Sequence, residues 1–345
     1  MQYKVSVIIP CYNSETTLKR CIDSVINQTL GFENIELIIY DDASKDSTRE
    51  IIQYYAKKYE NVIPIYSNEN SGSPVAGRNK GMEIASSEYI MFMDNDDEYN
   101  EDICQRLYNY IEKENVDLVG CNYCTINNFG IVKGSCYLNV PHYENLNESI
   151  LIKDDNIIFF SDWFIWNKIF KKSIIEKNNI KFPDKHSEDL FFCIEYFAKI
   201  NSLIYIENYY GYKRHSSKTS LSTNINVNYL IETIDVFSEL QDLLESHIPD
   251  KYDDSYKFNL AKQEITYTIS VLPRLKRKDK LYCIKYLYEF EKKISYNQPL
   301  KFAIHTFINS LIQKKLWHPA MWLINMTNRL INSKLQNIYT SIKRR

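Results

Sequence analysis

The strongest constraint in this chain is a rhythm. Within the first 125 residues, apolar runs of strand length at 5–10, 35–41, 62–67, 89–93 and 117–124 alternate with stretches of helical periodicity. Leu18, Cys21, Ile22, Val25 and Ile26 recur on one helical face, and Ser47 followed by Glu50 has the spacing of a capping box. Strands separated by helices in this way predict a parallel sheet covered by helices on both faces. Ligands of such sheets bind beyond the carboxyl ends of the strands, so chemistry is expected from the polar residues that follow each apolar run.

Past residue 125 the rhythm breaks. Residues 126–160 read as irregular, with a short hairpin around Gly130; helical patterns return at 163–176 and 187–199, followed by strand-like runs at 203–206 and 209–214. From about 226 onward the chain reads as successive helices broken at Pro249, Pro273, Pro299 and Pro319. The polar stretch 215–226 is the expected boundary between an α/β catalytic domain over 1–220 and an all-α C-terminal region over 226–345. At 345 residues the chain is longer than one minimal domain requires. No apolar run approaches the roughly 18–20 residues of a membrane span. The first apolar stretch is short and lacks a basic leader, so no signal peptide is expected and the expected compartment is the cytosol. The eight cysteines are scattered; Cys121-x-x-Cys124 has no second pair at zinc-ligand spacing and reads as two small buried hydrophobes.

Four strand ends carry the polar residues. They are Pro10-Cys11-Tyr12-Asn13, the turn Asp41 to Asp46, the stretch from Asn68 through Gly77-Arg78-Asn79-Lys80-Gly81, and Asp94-Asn95-Asp96-Asp97. Any one of these is ordinarily a helix cap or a solvated turn. The last is harder to explain so. Three carboxylates within four residues repel one another unless a cation or solvent screens them. Hard oxygen ligands in small number suit Mg²⁺ or Mn²⁺ shared with substrate phosphates, and a departing diphosphate develops the charge such a cation stabilises.

Taken together, Val5-Ser6-Val7-Ile8-Ile9-Pro10-Cys11-Tyr12-Asn13, Asp41-Asp42-Ala43-Ser44, Ala76-Gly77-Arg78-Asn79-Lys80-Gly81 and Asp94-Asn95-Asp96-Asp97 resemble glycosyltransferase family 2 in order and spacing. The resemblance covers roughly residues 3–215. It implies the GT-A fold, with a Rossmann-like mixed sheet, and inverting sugar transfer from a nucleotide-diphosphate sugar with Mn²⁺ or Mg²⁺. Carried over by position, it implies that Pro10, Tyr12 and Asn13 line the nucleotide pocket. One carboxylate of Asp41 and Asp42 accepts from uracil N3–H, Asp42 being favoured because Asp41 sits at the more variable position. Arg78 and Asn79 contact the nucleotide or its phosphates; Asp94, Asn95 and Asp96 form the D-x-D box, with Asp94 and Asp96 as metal ligands. Asp97 is a further ligand or a helix cap. Ala43 replaces the usual Gly.

Inverting transfer also needs a base for the acceptor hydroxyl. The segment Ser187-Glu188-Asp189 precedes a helical pattern, so Ser187 is the expected N-cap, and the positive helix end favours ionised Glu188 and Asp189. It matches the family's Glu-Asp motif, which implies Asp189 as the base and Glu188 as its orienting partner. Within Trp163 to Lys168, Trp166 and Lys168 are expected at the acceptor, since aromatic faces suit sugar rings; burial of the same aromatics in a helix is the competing reading. His215 is expected in a solvated loop, with approach to the diphosphate as its alternative.

The tail is chemically distinct. Residues 301–345 carry eight Lys plus Arg and no Asp or Glu, leaving a net charge of −10 on the rest of the chain. An acidic body does not suit nucleic acid. A basic, Trp-containing amphipathic stretch suits the inner surface of an anionic membrane, with packing onto the preceding helices or into a homo-oligomer as its alternative. The expected function is therefore transfer from a UDP-sugar to a glycan, lipid-linked or polymer acceptor in cell-surface polysaccharide synthesis, by a cytoplasmic enzyme peripheral to the membrane. The alternatives are a metal-dependent nucleotidyltransferase, which needs a Gly-rich loop that residues 5–15 lack, and a non-catalytic scaffold of the same fold.

Overall fold

A computed structural model describes residues 3–127, 130–134, 144–145, 149–152, 163–185, 187–215 and 227–247, with positions 275, 276, 279, 282 and 283. The chain divides into two compact units, Met1–Lys218 and Thr219–Arg345. The first unit runs β1 (Val5–Cys11), α1 (Leu18–Ile26), β2 (Ile35–Asp41), α2 (Thr48–Lys58), β3 (Val62–Tyr66), α3 (Val75–Ile84), β4 (Tyr89–Phe92), β5 (Glu98–Tyr99) and α4 (Ile103–Glu114). It continues through β6 (Leu118–Asn127), β7 (Gly130–Gly134), β8 (Glu144–Asn145), β9 (Ser149–Ile152), β10 (Lys168–Lys171), α5 (Lys172–Lys177), α6 (Glu188–Phe197) and β11 (Leu203–His215). In the second unit α7 (Val227–His247) is described, with Leu230, Ile234, Phe237, Leu240 and Leu244 buried along one stripe. The membrane expectation for 301–345 falls outside the described residues. Among the described residues no helix is long and apolar enough to cross a membrane.

The sheet order is β3-β2-β1-β4-β10-β6-β11-β9-β8, with β5 on β11 and β7 on β6. Pairing is parallel from β3 through β4, as the alternating first third predicts. Seven residues of β1 are buried without interruption, as a strand covered on both faces requires. Its one polar member, Ser6, donates to Glu36 Oε2 at 2.6 Å, and the same carboxylate takes the Ser86 N–H and hydroxyl at 2.8 Å each. A buried charge is thus saturated at the end of the sheet away from the strand carboxyl termini.

Residues 163–176 correct the sequence reading. They do not form a helix: β10 enters antiparallel between β4 and β6, and only then does the short α5 begin. Apolar residues at helical spacing are also apolar residues that can alternate, and a slot between two buried strands overrides local periodicity. The two strand-like runs at 203–214 are one strand, β11, with register shifts between Ile206 and Tyr212 and a left-handed Asn208 at φ 57°. The hairpin around Gly130 is β6–β7.

Helix starts are where the sequence places them, but with different chemistry. Ser47 precedes α2 without a side-chain cap; Asp46 Oδ1 accepts the Thr48 N–H at 3.0 Å instead. Ser187 precedes α6 at φ 60°, a left-handed backbone, and its hydroxyl makes no cap, because a capping side chain needs the extended region.

What brings the site together is the seating of α3 on β1. A Cβ on Gly81 would lie 2.4 Å from Ile8 Cγ2, and one on Gly77 would lie 2.9 Å from Pro10 Cβ. The two glycines, four apart on one helix face, let α3 approach the strand closely enough for Arg78 to reach past the strand ends.

Candidate active site

Beyond β1, β2 and β4, the loops close on one another through short polar contacts. Asn13, left-handed at φ 47°, donates its N–H to Ser44 Oγ at 2.9 Å and accepts the Lys45 N–H on Oδ1 at 2.8 Å. Asn95 donates to the Pro10 carbonyl at 3.0 Å, joining the D-x-D loop to the end of β1. Tyr12 stands out at 41% exposure beside these loops, its aromatic face open to solvent.

The paired aspartates differ sharply. Asp41 is sealed: Arg49 Nε lies 2.8 Å from Oδ2, the Ser44 N–H donates to Oδ1, and the Arg49 guanidinium stacks 4.9 Å over the Tyr66 ring. Asp42, itself 5% exposed, takes the Ser71 N–H and hydroxyl on Oδ2, both at 2.9 Å, while its Oδ1 is buried without a hydrogen-bond partner. A buried, unpaired carboxylate oxygen is costly unless a ligand N–H completes it. Ser71, whose role the sequence did not signal, orients that oxygen.

Arg78 is the centre of the site. Its side chain is 4% exposed, with Nη1 at 2.8 Å from Glu188 Oε1 and 2.5 Å from Asp189 Oδ1, and Nη2 at 3.0 Å from Asp94 Oδ1. The guanidinium lies 5.4 Å over the Phe182 ring. One fork therefore links the D-x-D box to the start of α6, across about a hundred residues of chain. Burial pushes the Asp189 carboxyl up to about 7; Arg78 opposes that rise and the charges of Glu188 and Asp94 add to it.

Within the box, Asp96 is raised above the ordinary carboxylate range by burial and by the charge of Asp94. Asp97 is neither helix cap nor open ligand. Its buried carboxylate accepts the Tyr212 hydroxyl on Oδ2 and the His215 N–H on Oδ1, both at 2.7 Å, and burial followed by Asp94 and Asp96 raises it to about 8. Tyr212 also accepts the Asp94 N–H at 3.3 Å, so the end of β11 fixes the loop's shape. His215 is not a solvated loop residue: it ends β11, half-buried, with Nε2 2.7 Å from Glu98 Oε1.

Three expected contacts turn out to be occupied by the fold. Asn79 exchanges both amide groups with the Phe182 backbone, at 2.8 and 2.9 Å, which anchors that ring beneath Arg78. Trp166 is buried between Phe164 and Tyr212, with ring centroids 4.6 and 4.2 Å away, and so offers no open face to an acceptor sugar. Lys168 is 1% exposed, and its ammonium donates to the Phe164 carbonyl at 2.7 Å and to Asn167 Oδ1 at 3.0 Å. In place of direct acceptor contact its charge acts on Asp189, holding that carboxyl down.

Among the described residues no three His, Cys, Asp or Glu side chains cluster as a complete metal cage. Two half-exposed carboxylates, Asp94 and Asp96, in mutual repulsion are instead a donor set of hard oxygens that suits a small dication completing its shell with substrate phosphates.

The model of the family described as Glycosyl transferase family 2 matches residues 6–176. The chain is 32% identical over 266 residues to the cholesterol galactosyltransferase of Borreliella burgdorferi, covering 70% of this chain and 71% of that protein. It is 34% identical over 224 residues to the poly(ribitol-phosphate) beta-glucosyltransferase of Bacillus spizizenii, 64% of this chain but only 34% of that longer protein. Among solved structures, S. aureus TarS 1–349 in complex with UDP-GlcNAc superposes with a TM-score of 0.69 at 19% identity, over 94% of this chain and 91% of that one. That likeness shows the shared glycosyltransferase fold, a mixed α/β sheet of the GT-A type.

Proposed function

The chain belongs to glycosyltransferase family 2, and from that premise we propose that it transfers a sugar, with inversion, from a UDP-sugar to a hydroxyl of a bacterial cell-surface polymer or lipid-linked glycan. The observation that carries this reading is the Arg78 fork, which holds the first carboxylate of the D-x-D box and the Glu188–Asp189 pair against one another. Donor diphosphate and acceptor hydroxyl would then meet across a single side chain. The free Oδ1 of Asp42 supports a uracil ring, whose N3–H is the donor it lacks, with Tyr12 as the exposed ring beside it.

In this mechanism Mg²⁺ or Mn²⁺ held by Asp94 and Asp96 would supply the charge that stabilises the departing diphosphate. Asp189 accepts the proton of the acceptor hydroxyl as its oxygen attacks the anomeric carbon from the face opposite UDP. A carboxyl raised toward neutrality suits that task, because proton transfer is most effective when the base's pKa lies near the working pH. Arg78 holds Asp189 in place through the nitrogen it shares with Glu188, and Lys168 limits the rise in its pKa. The acceptor's identity is drawn from the relatives: both poly(ribitol phosphate) and cholesterol offer hydroxyls on a polymer or membrane component.

The deciding experiment is UDP release from UDP-sugars with Mn²⁺. Release that depends on the metal and falls by about 10²-fold or more in Asp96→Asn and Asp189→Asn is expected. Undiminished release in either variant rejects the assignment. For the basic segment 301–345 the proposed partner is the anionic inner leaflet. Cosedimentation with anionic liposomes should be lost on its deletion, and equal recovery in the supernatant with and without it rejects that partner.

A further inference from the structure

Arg78 is more deeply committed than a phosphate-binding arginine needs to be. Its guanidinium is buried over Phe182, and both terminal nitrogens are bonded to carboxylates of two separate motifs. Its Nε is buried with no hydrogen-bond partner. Three carboxylates face one guanidinium, so the cluster carries more negative than positive charge. A dication arriving at either oxygen of Asp94 would come within about 6 Å of the guanidinium, where the two cations repel strongly in a site shielded from water.

We propose that Arg78 stands in for the divalent cation at Asp94, so that cation and guanidinium compete for this carboxylate and an arriving cation drives the fork onto Glu188 and Asp189. The inference rests on the reading of Asp94 and Asp96 as cation ligands. Its consequence is an order of events: the base is held by the full fork only once the donor's cation is in place, so acceptor activation follows donor loading. Glu188 and Asp189 are already within bonding distance of Nη1, so the guanidinium keeps two carboxylate partners when Asp94 is given up to the cation.

The test measures Mn²⁺ alone, by the loss of its free-ion electron paramagnetic resonance signal on titration into protein. Removing the competitor in Arg78→Met should tighten Mn²⁺ binding about tenfold or more, the scale of a charge-assisted hydrogen bond converted to affinity. Arg20→Met is the control for charge alone. Arg20 bonds the Asp96 carbonyl and Glu98 but no ligand carboxylate, and its loss should leave the affinity within about twofold. Unchanged or weaker binding in Arg78→Met, or equal tightening in Arg20→Met, overturns the proposal. If Asp94→Asn binds Mn²⁺ as the wild type does, the cation-site reading itself is wrong. If Asp94→Asn loses the ion but Arg78→Met binds it as the wild type does, only the stand-in role is. Should Arg78→Met not fold, a Mg²⁺ titration of the wild type decides the matter. The guanidinium ¹⁵N resonance of Arg78, identified by its absence from Arg78→Lys, must move as the metal binds, and a stationary signal overturns the proposal.

Discussion

Gly81→Ala puts the seating of α3 to a direct test. Its new Cβ would sit 2.4 Å from Ile8 Cγ2 and about 3 Å from the next two Ile8 carbons, against a comfortable carbon separation of about 3.5–4.0 Å. The helix must therefore withdraw from β1 by roughly 1 Å, or Ile8 must leave its rotamer, at a typical cost of about 1–3 kcal/mol. Alanine's better helix propensity returns about 1 kcal/mol, so a net loss of about 0–2 kcal/mol in denaturant unfolding is expected. Function should suffer more than stability. Arg78 lies on the same short helix, and a displacement of about 1 Å at a catalytic constellation costs about 10²-fold in rate. Ile8→Ala in the Gly81→Ala background removes all three clashing carbons and should restore UDP release even though the protein is no more stable. A Gly81→Ala protein that is more stable than wild type by the propensity gain and releases UDP at the wild-type rate would show that close approach is not what positions Arg78.

Other expectations follow from the same geometry. Because the Asp189 base must be ionised and burial raises its carboxyl to about 7, kcat/KM should fall as pH drops through that region, well above the ordinary carboxylate range; an acid limb near pH 4 would refute the environment assigned to it. Asp42→Ala should weaken UDP binding about tenfold or more by calorimetry, while Asp41→Asn should act chiefly on stability through the lost Arg49 pair. Asp97, raised in the folded state to about 8 from an ordinary value near 4, favours folding at low pH and loses that contribution as pH rises through about 8. In metal-free protein, melting temperature measured from pH 5 to 9 should therefore decline more steeply in wild type than in Asp97→Asn; parallel slopes would contradict this. Ala43 is left-handed at φ 59°, so Ala43→Gly should be neutral or stabilising by up to about 1 kcal/mol, where most Ala→Gly changes destabilise.

The parallel half of the sheet, the helices between its strands and the polar loops at the strand ends could be read from the chain alone, because apolar periodicity and strand-end polarity are local properties. The positions of Asp42, Asp94 and Asp96 after strands and of Glu188 and Asp189 at a helix start were legible for the same reason. Residues 163–176 were misread because a slot between β4 and β6 exists only after both strands have folded, and burial there outweighs helical spacing. Asn79, Trp166 and Lys168 carry residue types common in sugar sites, yet whether an aromatic face is open or stacked depends on neighbours far along the chain, here Phe164 and Tyr212. The pairing of Asp97 with Tyr212, of Asp42 with Ser71, and the three-way grip of Arg78 join residues separated by some 16 to 115 positions. No local pattern encodes such contacts. Tertiary structure alone decides them, because burial strengthens charge–charge interactions and turns scattered carboxylates into one electrostatic unit.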